Sequence, residues 1–192
     1  MEEFTERQQQ IIHESIELIA DKGIQGLTIK NLSGAVGISE PAIYRHFKNK
    51  NEIVLGVMSV LKNVSIHGIV QKIDGLDAFS RVKLLFEELT IRFCETPSLT
   101  AIIFSEEIFN NEDLFKAVRE RMEKSQKMLI SILKAGQGDG SVRKNINAEQ
   151  LSIMIIGSFR FLVTRWRIKN YEFDLKANVK QLLSTLERVV KP

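Results

Sequence analysis

Apolar positions recur three and four residues apart along most of the chain, and helix-capping residues punctuate them. Thr5 to Gln8 has the form of a capping box, which predicts a helix from Glu6 with Ile12, Ile16, Ile19 and Ala20 inward and Gly23 placed to end it. Thr28 can cap a second, short helix that turns Ile29, Leu32 and Val36 inward and stops at Gly37. Ser39 can cap a third, running to about Phe47; Pro41 is tolerated in its first turn because those N–H groups lack intrahelical partners. Asn49 and Glu52 resemble another capping box and open a fourth helix to about Lys72.

Gly75 and Asp77 mark a break. A fifth helix carries Val82, Leu85, Phe86, Leu89 and Phe93 on one side. Thr96 and Pro97 open a short apolar sixth with Ile102, Ile103 and Phe104. Asn111 can cap a seventh, running to Gly136 and carrying Leu114, Val118, Met122, Leu129 and Leu133. Gly136 to Gly140 reads as a flexible loop. Asn147 caps an eighth helix to about Lys169 and Asp174 a ninth to about Val190. With no convincing strand or repeat, the expected fold is all-α with about nine helices. It divides into a three-helix domain over residues 1–50 and a helical body over residues 51–192, with helix four, from about residue 50, linking the two.

Composition narrows the function. The 192 residues are 44% hydrophobic and 27% charged, ordinary for a globular chain, so disorder and fibres are poor readings. No apolar run approaches the roughly 20 residues that span a bilayer, and the acidic, polar first ten residues do not look like a secretory signal; the expectation is a cytoplasmic protein that does not enter the membrane. Cys94 has no second cysteine to pair with, and no Cys/His spacing suggests a metal site. There is no phosphate loop, nucleophile elbow or zinc-protease motif, the three histidines are scattered, and Glu106 and Glu107 point apart as neighbours on a helix. Neither an enzyme nor a cofactor is expected. The net charge of +3 decides little, but its distribution is informative: residues 1–27 are acidic, whereas residues 28–50 set Lys30, Arg45, Lys48 and Lys50 against Glu40 alone.

That basic segment is two short helices joined by a tight turn. The second exposes Ser39, Glu40, Ala42, Arg45 and His46 and turns Ile43 and Phe47 inward. In a helix-turn-helix, the first helix buttresses a second whose side chains reach base edges in the major groove of double-stranded DNA. Lys48 and Lys50 lie just beyond it, placed for phosphate, and Thr28 and Lys30 sit at the N-terminus of the buttress, where phosphate is also accommodated. Pattern alone leaves open an ordinary helical hairpin within a bundle.

Residue identity adds to this. Leu27-Thr28, Leu32-Ser33, Val36 to Ser39, Ile43 to Phe47 and Lys48 to Lys50 resemble the DNA-binding domain of the TetR (tetracycline repressor) family of bacterial transcription regulators, a detailed match over about a quarter of the chain. The resemblance implies that Tyr44 and His46 contact the DNA backbone, that Lys50 contacts phosphate at the start of helix four, and that Thr28 and Lys30 make phosphate or base contacts. Glu40, Pro41, Ala42 and Arg45 fall on the variable recognition positions. Arg45 suits bidentate pairing with guanine, worth about 1–3 kcal/mol of discrimination. Asn51 departs from the acidic residue common in the family, although Glu52 follows it. The implied function is a ligand-responsive regulator, by default a repressor, that binds a palindromic operator.

One such module covers too little DNA for high specificity, so a homodimer is expected. Its candidate surface is the last two helices, through Leu151, Ile155, Ser158 and Leu162 on the eighth and Val179, Leu182 and Leu186 on the ninth, within a near-heptad run from Leu175 to Val189. The alternative is that these stripes are intrachain core. Nine of the eleven phenylalanines lie between Phe79 and Phe173. Phe86, Leu89, Phe93, Phe104, Met122, Phe159 and Trp166 are candidates to line an apolar effector cavity, or else are plain core. Arg160 and Arg165 either neutralise an acidic effector, such as a fatty acid or acyl thioester, or form surface ion pairs. A helical small-molecule binder or adaptor that never touches DNA is the competing reading of the whole chain.

Overall fold

The structure is a computed structural model describing residues 4–63, 75–103 and 112–192. Among these residues there are nine helices and no strand: α1 (Glu6–Gly26), α2 (Ile29–Val36), α3 (Glu40–Tyr44), α4 (Lys50–Asn63), α5 (Ala78–Glu95), α6 (Ser98–Ile103), α7 (Glu112–Asp139), α8 (Ala148–Ile168) and α9 (Leu175–Val190). The expected continuation of helix four to Lys72, Phe104 in helix six and the cap at Asn111 lie outside the described residues. Contacts divide the chain into two compact units, residues 1–64 with 98–119 and residues 65–97 with 120–192. A boundary drawn at residue 50 leaves α4 out of the first unit, whereas α4 and α6 both pack on α1.

In the first unit, the capping box at Thr5 closes as its residue types predict. The Gln8 N–H donates to Thr5 Oγ1 at 3.3 Å, and Gln8 Oε1 accepts from the Thr5 N–H at 3.0 Å. Helical backbone breaks at Gly23, and one further turn follows to Gly26. Ile11, Ile12, Ile16 and Ile19 of α1 meet Leu32 and Val36 of α2, Ile43 and Phe47 around α3, and Ile53, Val54 and Val57 of α4 in one buried cluster. Gly37 ends α2 in the left-handed region at φ 74°, where a side chain is disfavoured, and this sharp turn delivers the chain into α3. α3 stops at Tyr44 rather than Phe47, because the N–H groups of His46 and Phe47 both donate to the Ile43 carbonyl and tighten the last turn.

In the second unit, Asp77, Asn147 and Asp174 cap α5, α8 and α9 by accepting the N–H of Ser80, Glu149 and Ala177 respectively. α9 packs against both α5 and α8. Its buried stripe is Leu175, Val179, Leu183, Leu186 and Val190, so Leu183 and Val190 replace the expected Leu182 and Val189, which are half-buried. A helix held between two neighbours buries an arc at period 3.6 rather than a heptad seam. The expected loop at Gly136 to Gly140 is another correction, because α7 continues through Gly136 and Gly138 to Asp139. A Cβ on Gly136 would stand 2.5 Å from both Ala78 Cβ and Val142 Cγ2, so this glycine serves close packing rather than flexibility. Arg143 donates to the carbonyls of Arg188 and Lys191 and so caps the end of α9.

Candidate nucleic-acid interface

The turn at Gly37 and the burial of Ile43 and Phe47 fix which side of residues 39–48 meets solvent. Ile43 is wholly buried and Phe47 is 2% exposed, whereas Tyr44, between them, is 51% exposed. Ser39, Glu40, Pro41, Arg45 and Lys48 are exposed as well, and His46 is half-buried. Tyr44 thus keeps about half of its surface open to solvent while its neighbour Ile43 is fully buried, so its ring is free to meet another molecule. Ala42 corrects the expectation: it is buried on the Ile43 side, because in a helix of five residues it falls on the arc that faces the core.

The buttress carries exposed candidates as well. Thr28 and Lys30 are exposed at the start of α2. Thr28 Oγ1 accepts from the Asn31 N–H at 3.1 Å, which leaves its own O–H to donate outward. Ser39 flanks α3 without capping it. Thr28, Lys30, Arg45 and Lys48 together supply an exposed hydroxyl and three exposed cations in one unit, a donor set suited to phosphate oxygens. Lys50 is placed differently from the rest. It is half-buried, and its Nζ donates to the Ile24 carbonyl at 3.0 Å, tying α4 to the end of α1; two ammonium protons remain for another acceptor.

One long-range bond and one local bond fasten the chain where it leaves α3. Gln8 Nε2 donates to the His46 carbonyl at 3.1 Å, and the Lys48 N–H donates to the Glu52 carboxylate. The expected Asn49–Glu52 box is present in altered form: Asn49 Oδ1 accepts from the Glu52 N–H at 2.9 Å, while Glu52 reaches back to Lys48 rather than to Asn49. Gln8 was not legible as part of this site, because its partner is 38 residues away.

The candidate dimer residues fall mostly inside the protomer. Leu151 is 0%, Ile155 1%, Val179 1% and Leu186 7% exposed, so these four have almost no area left to bury against a second copy. Ser158, Leu162 and Leu182 are half-buried. What α8 does leave open is a different stripe, with Ile153 53%, Met154 46%, Phe161 70% and Ile168 72% exposed and Gly157 between them. The signal for it was in the sequence: the runs Ile153 to Ile156 and Phe159 to Leu162 hold more apolar residues than one helical face accommodates.

The candidate effector residues are brought together in part. Phe86 and Phe159 meet edge to face with centroids 4.6 Å apart, and Phe93 stacks on Phe159 at 6.2 Å, all three buried; Leu89 is half-buried. Buried Trp166 donates its Nε1–H to the Phe173 carbonyl at 2.9 Å and so locks the turn into α9. Met122 is a correction, being 55% exposed on α7 and not enclosed, and Phe104 lies outside the described residues. Arg165 stands over the Phe173 ring at 5.6 Å. Burial raises the Cys94 thiol pKa, so it is not a poised nucleophile. Among the described residues, no His/Cys/Asp/Glu group is arranged to hold a metal and no helix is long and apolar enough to cross a membrane.

Residues 11–57 match the family described as "Bacterial regulatory proteins, tetR family", and residues 63–188 match the "YsiA-like protein, C-terminal region". The chain is 26% identical over 192 residues to the probable acrEF/envCD operon repressor of Escherichia coli (strain K12), across 96% of this chain and 86% of that one. Its backbone is similar to the fatty acid degradation regulator FadR of Bacillus halodurans, with a TM-score of 0.84, 20% identity and 97% of both chains covered. It is also similar to the transcriptional regulator FadR of Bacillus subtilis in complex with stearoyl-CoA, with a TM-score of 0.80 and 21% identity over 93% of this chain and 96% of that one.

Proposed function

Because this chain belongs to the tetR family of bacterial regulatory proteins, and is thereby a DNA-binding transcription regulator that acts as a dimer, we propose which residues do the work and what releases them. Arg45, with Ser39, Glu40 and Pro41, reads base edges in the major groove. Thr28, Lys30, Tyr44, His46 and Lys48 set the register on the phosphates, and Lys50 adds a proton from its half-buried position. The exposed ring of Tyr44 between buried Ile43 and Phe47 is the observation that carries this assignment.

Two copies joined through the Ile153, Met154, Gly157 and Phe161 stripe of α8 present their reading elements to half-sites about 34–36 Å apart or a multiple of that. The operator is then palindromic, and occupying it represses transcription. The effector is an amphipathic acyl thioester. Two things support this: the stearoyl-CoA bound by the similar Bacillus subtilis regulator, and the aromatic lining that Phe86, Phe93 and Phe159 would give an acyl chain. Such a ligand releases DNA only if it binds the DNA-incompetent conformation more tightly.

The test is a gel shift with a duplex selected by the protein from a randomised pool. Binding is expected to weaken steeply between 50 and 200 mM salt, by about 10³-fold for six or more phosphate contacts. Tyr44→Ala is expected to weaken it at either salt, and stearoyl-CoA to release the wild-type complex. Normal binding by Tyr44→Ala would refute the residue assignment, and indifference to stearoyl-CoA would refute the effector class.

A further inference from the structure

We infer that Gln8 is a positioning residue for DNA reading, acting through the backbone of His46; this rests on residues 28–50 being the DNA-contacting surface. The Gln8 amide has two ends with separate tasks. Oε1 accepts from the Thr5 N–H at 3.0 Å and from the Thr5 hydroxyl at 3.2 Å, which completes the cap of α1. Nε2 is not needed for that cap. It donates instead to the His46 carbonyl at 3.1 Å in a partly buried contact.

That carbonyl lies just past the last turn of α3, where backbone acceptors lack intrahelical partners. The next residue, Phe47, is anchored in the core, and beyond it the Lys48 N–H is held by Glu52 of α4. The backbone is therefore pinned on both sides of Phe47, from α1 and from α4. A helix of five residues has too few internal bonds to hold its own direction, so these outside fastenings set where Tyr44, Arg45 and His46 project. Base-edge contacts demand that direction, whereas attraction to phosphates depends mainly on charge and tolerates reorientation. Loss of the Gln8 donor should thus cost specific binding more than non-specific binding.

Two variants of the full chain separate this role from capping. Gln8→Glu keeps an acceptor for Thr5, since glutamate is itself a capping-box residue, but has no proton to donate to His46. Gln8→Met is uncharged and loses both contacts. The measurement is the ratio of affinities for the duplex selected by wild type and for a scrambled duplex of equal length at the same salt. Gln8→Met adds no charge, so a fall shared by both variants does not come from the glutamate charge. The expected result is a fall of about tenfold in the ratio for both variants, with dimer mass unchanged and Tm lowered less in Gln8→Glu, which keeps the cap, than in Gln8→Met. An unchanged ratio in Gln8→Glu overturns the positioning role, even if Gln8→Met loses discrimination together with Tm, because that pattern belongs to the cap alone. If wild type selects no duplex, the DNA-contact surface itself is wrong and the role falls with it. If wild type discriminates and both variants match it, only the positioning role fails.

Discussion

The two units use helices of different kinds. In the first, α2 and α3 are short, with one apolar arc each; Ile29, Leu32, Val36 and Ile43 face the core, and Tyr44 is the large apolar side chain left exposed on them. In the second, α8 is apolar on two arcs, one buried through Leu151, Ile155, Phe159 and Val163 and the other open through Ile153, Met154, Phe161 and Ile168. A helix with one apolar arc has a single way to pack, and its exposed residues stand out as functional. A helix with two has a choice that only its neighbours resolve.

The largest test of that contrast is Phe161→Glu. If the open arc of α8 is the subunit interface, removing a buried phenylalanine costs about 1.5–3 kcal/mol in each protomer. The dimer constant should then weaken at least about a hundredfold, read by sedimentation across a dilution series. A variant that remains dimeric at the same concentrations moves the interface elsewhere. Next in size is the register of α9. Leu183→Ala is expected to cost about 2–5 kcal/mol, while Leu182→Ala, half-buried, costs about 1 kcal/mol. Urea unfolding at one fixed protein concentration separates them, and a reversal of the order would restore the heptad reading of that helix.

The smallest effect is electrostatic and confined to the second unit. Glu187 accepts from Lys83 at 2.7 Å and from Lys191 at 2.9 Å, and Lys191 also approaches Asp77 at 3.9 Å. The Lys83 and Lys191 ammonium groups hold the Glu187 carboxyl below its ordinary pKa, and the Ser80 backbone N–H chiefly does the same for Asp77. Lowered carboxylate values stabilise the fold above the ordinary range, and that stability is lost as pH falls through the folded values. Bonding to Glu187 raises Lys191, so its share persists below its ordinary value and fades as pH climbs past the raised one. These groups are a third or more exposed or close to it, so the whole network is worth about 1 kcal/mol or less. Glu187→Gln should flatten the acid limb of an unfolding free energy-against-pH curve by that amount, and an unchanged curve would show that the network contributes nothing.

The first unit was legible because its signals are local. Thr5 with Gln8, Gly37, and Asn49 with Glu52 each act within four residues, and each appears where its chemistry requires. Ala42 was misplaced because five residues are too short a window for periodicity to choose between adjacent positions. The glycines from 136 to 140 were misread because composition suggests freedom, while the approach of Ala78 and Val142 demands a missing side chain at Gly136 within a continuing helix.

The amino-acid order by itself determined that this chain is helical, where most helices begin and end, and that residues 28–50 form two short helices about a tight turn with a basic bias, because caps, turns and charge are properties of neighbouring residues. Only the tertiary structure decided which arc of α8 and α9 is core, that Lys50 is tied to the end of α1, and that Gln8 reaches His46. Each of those is a contact between residues far apart in the chain, and the free energy that selects one packing from several of equal periodicity comes from the partner surface, not from the helix that displays the pattern.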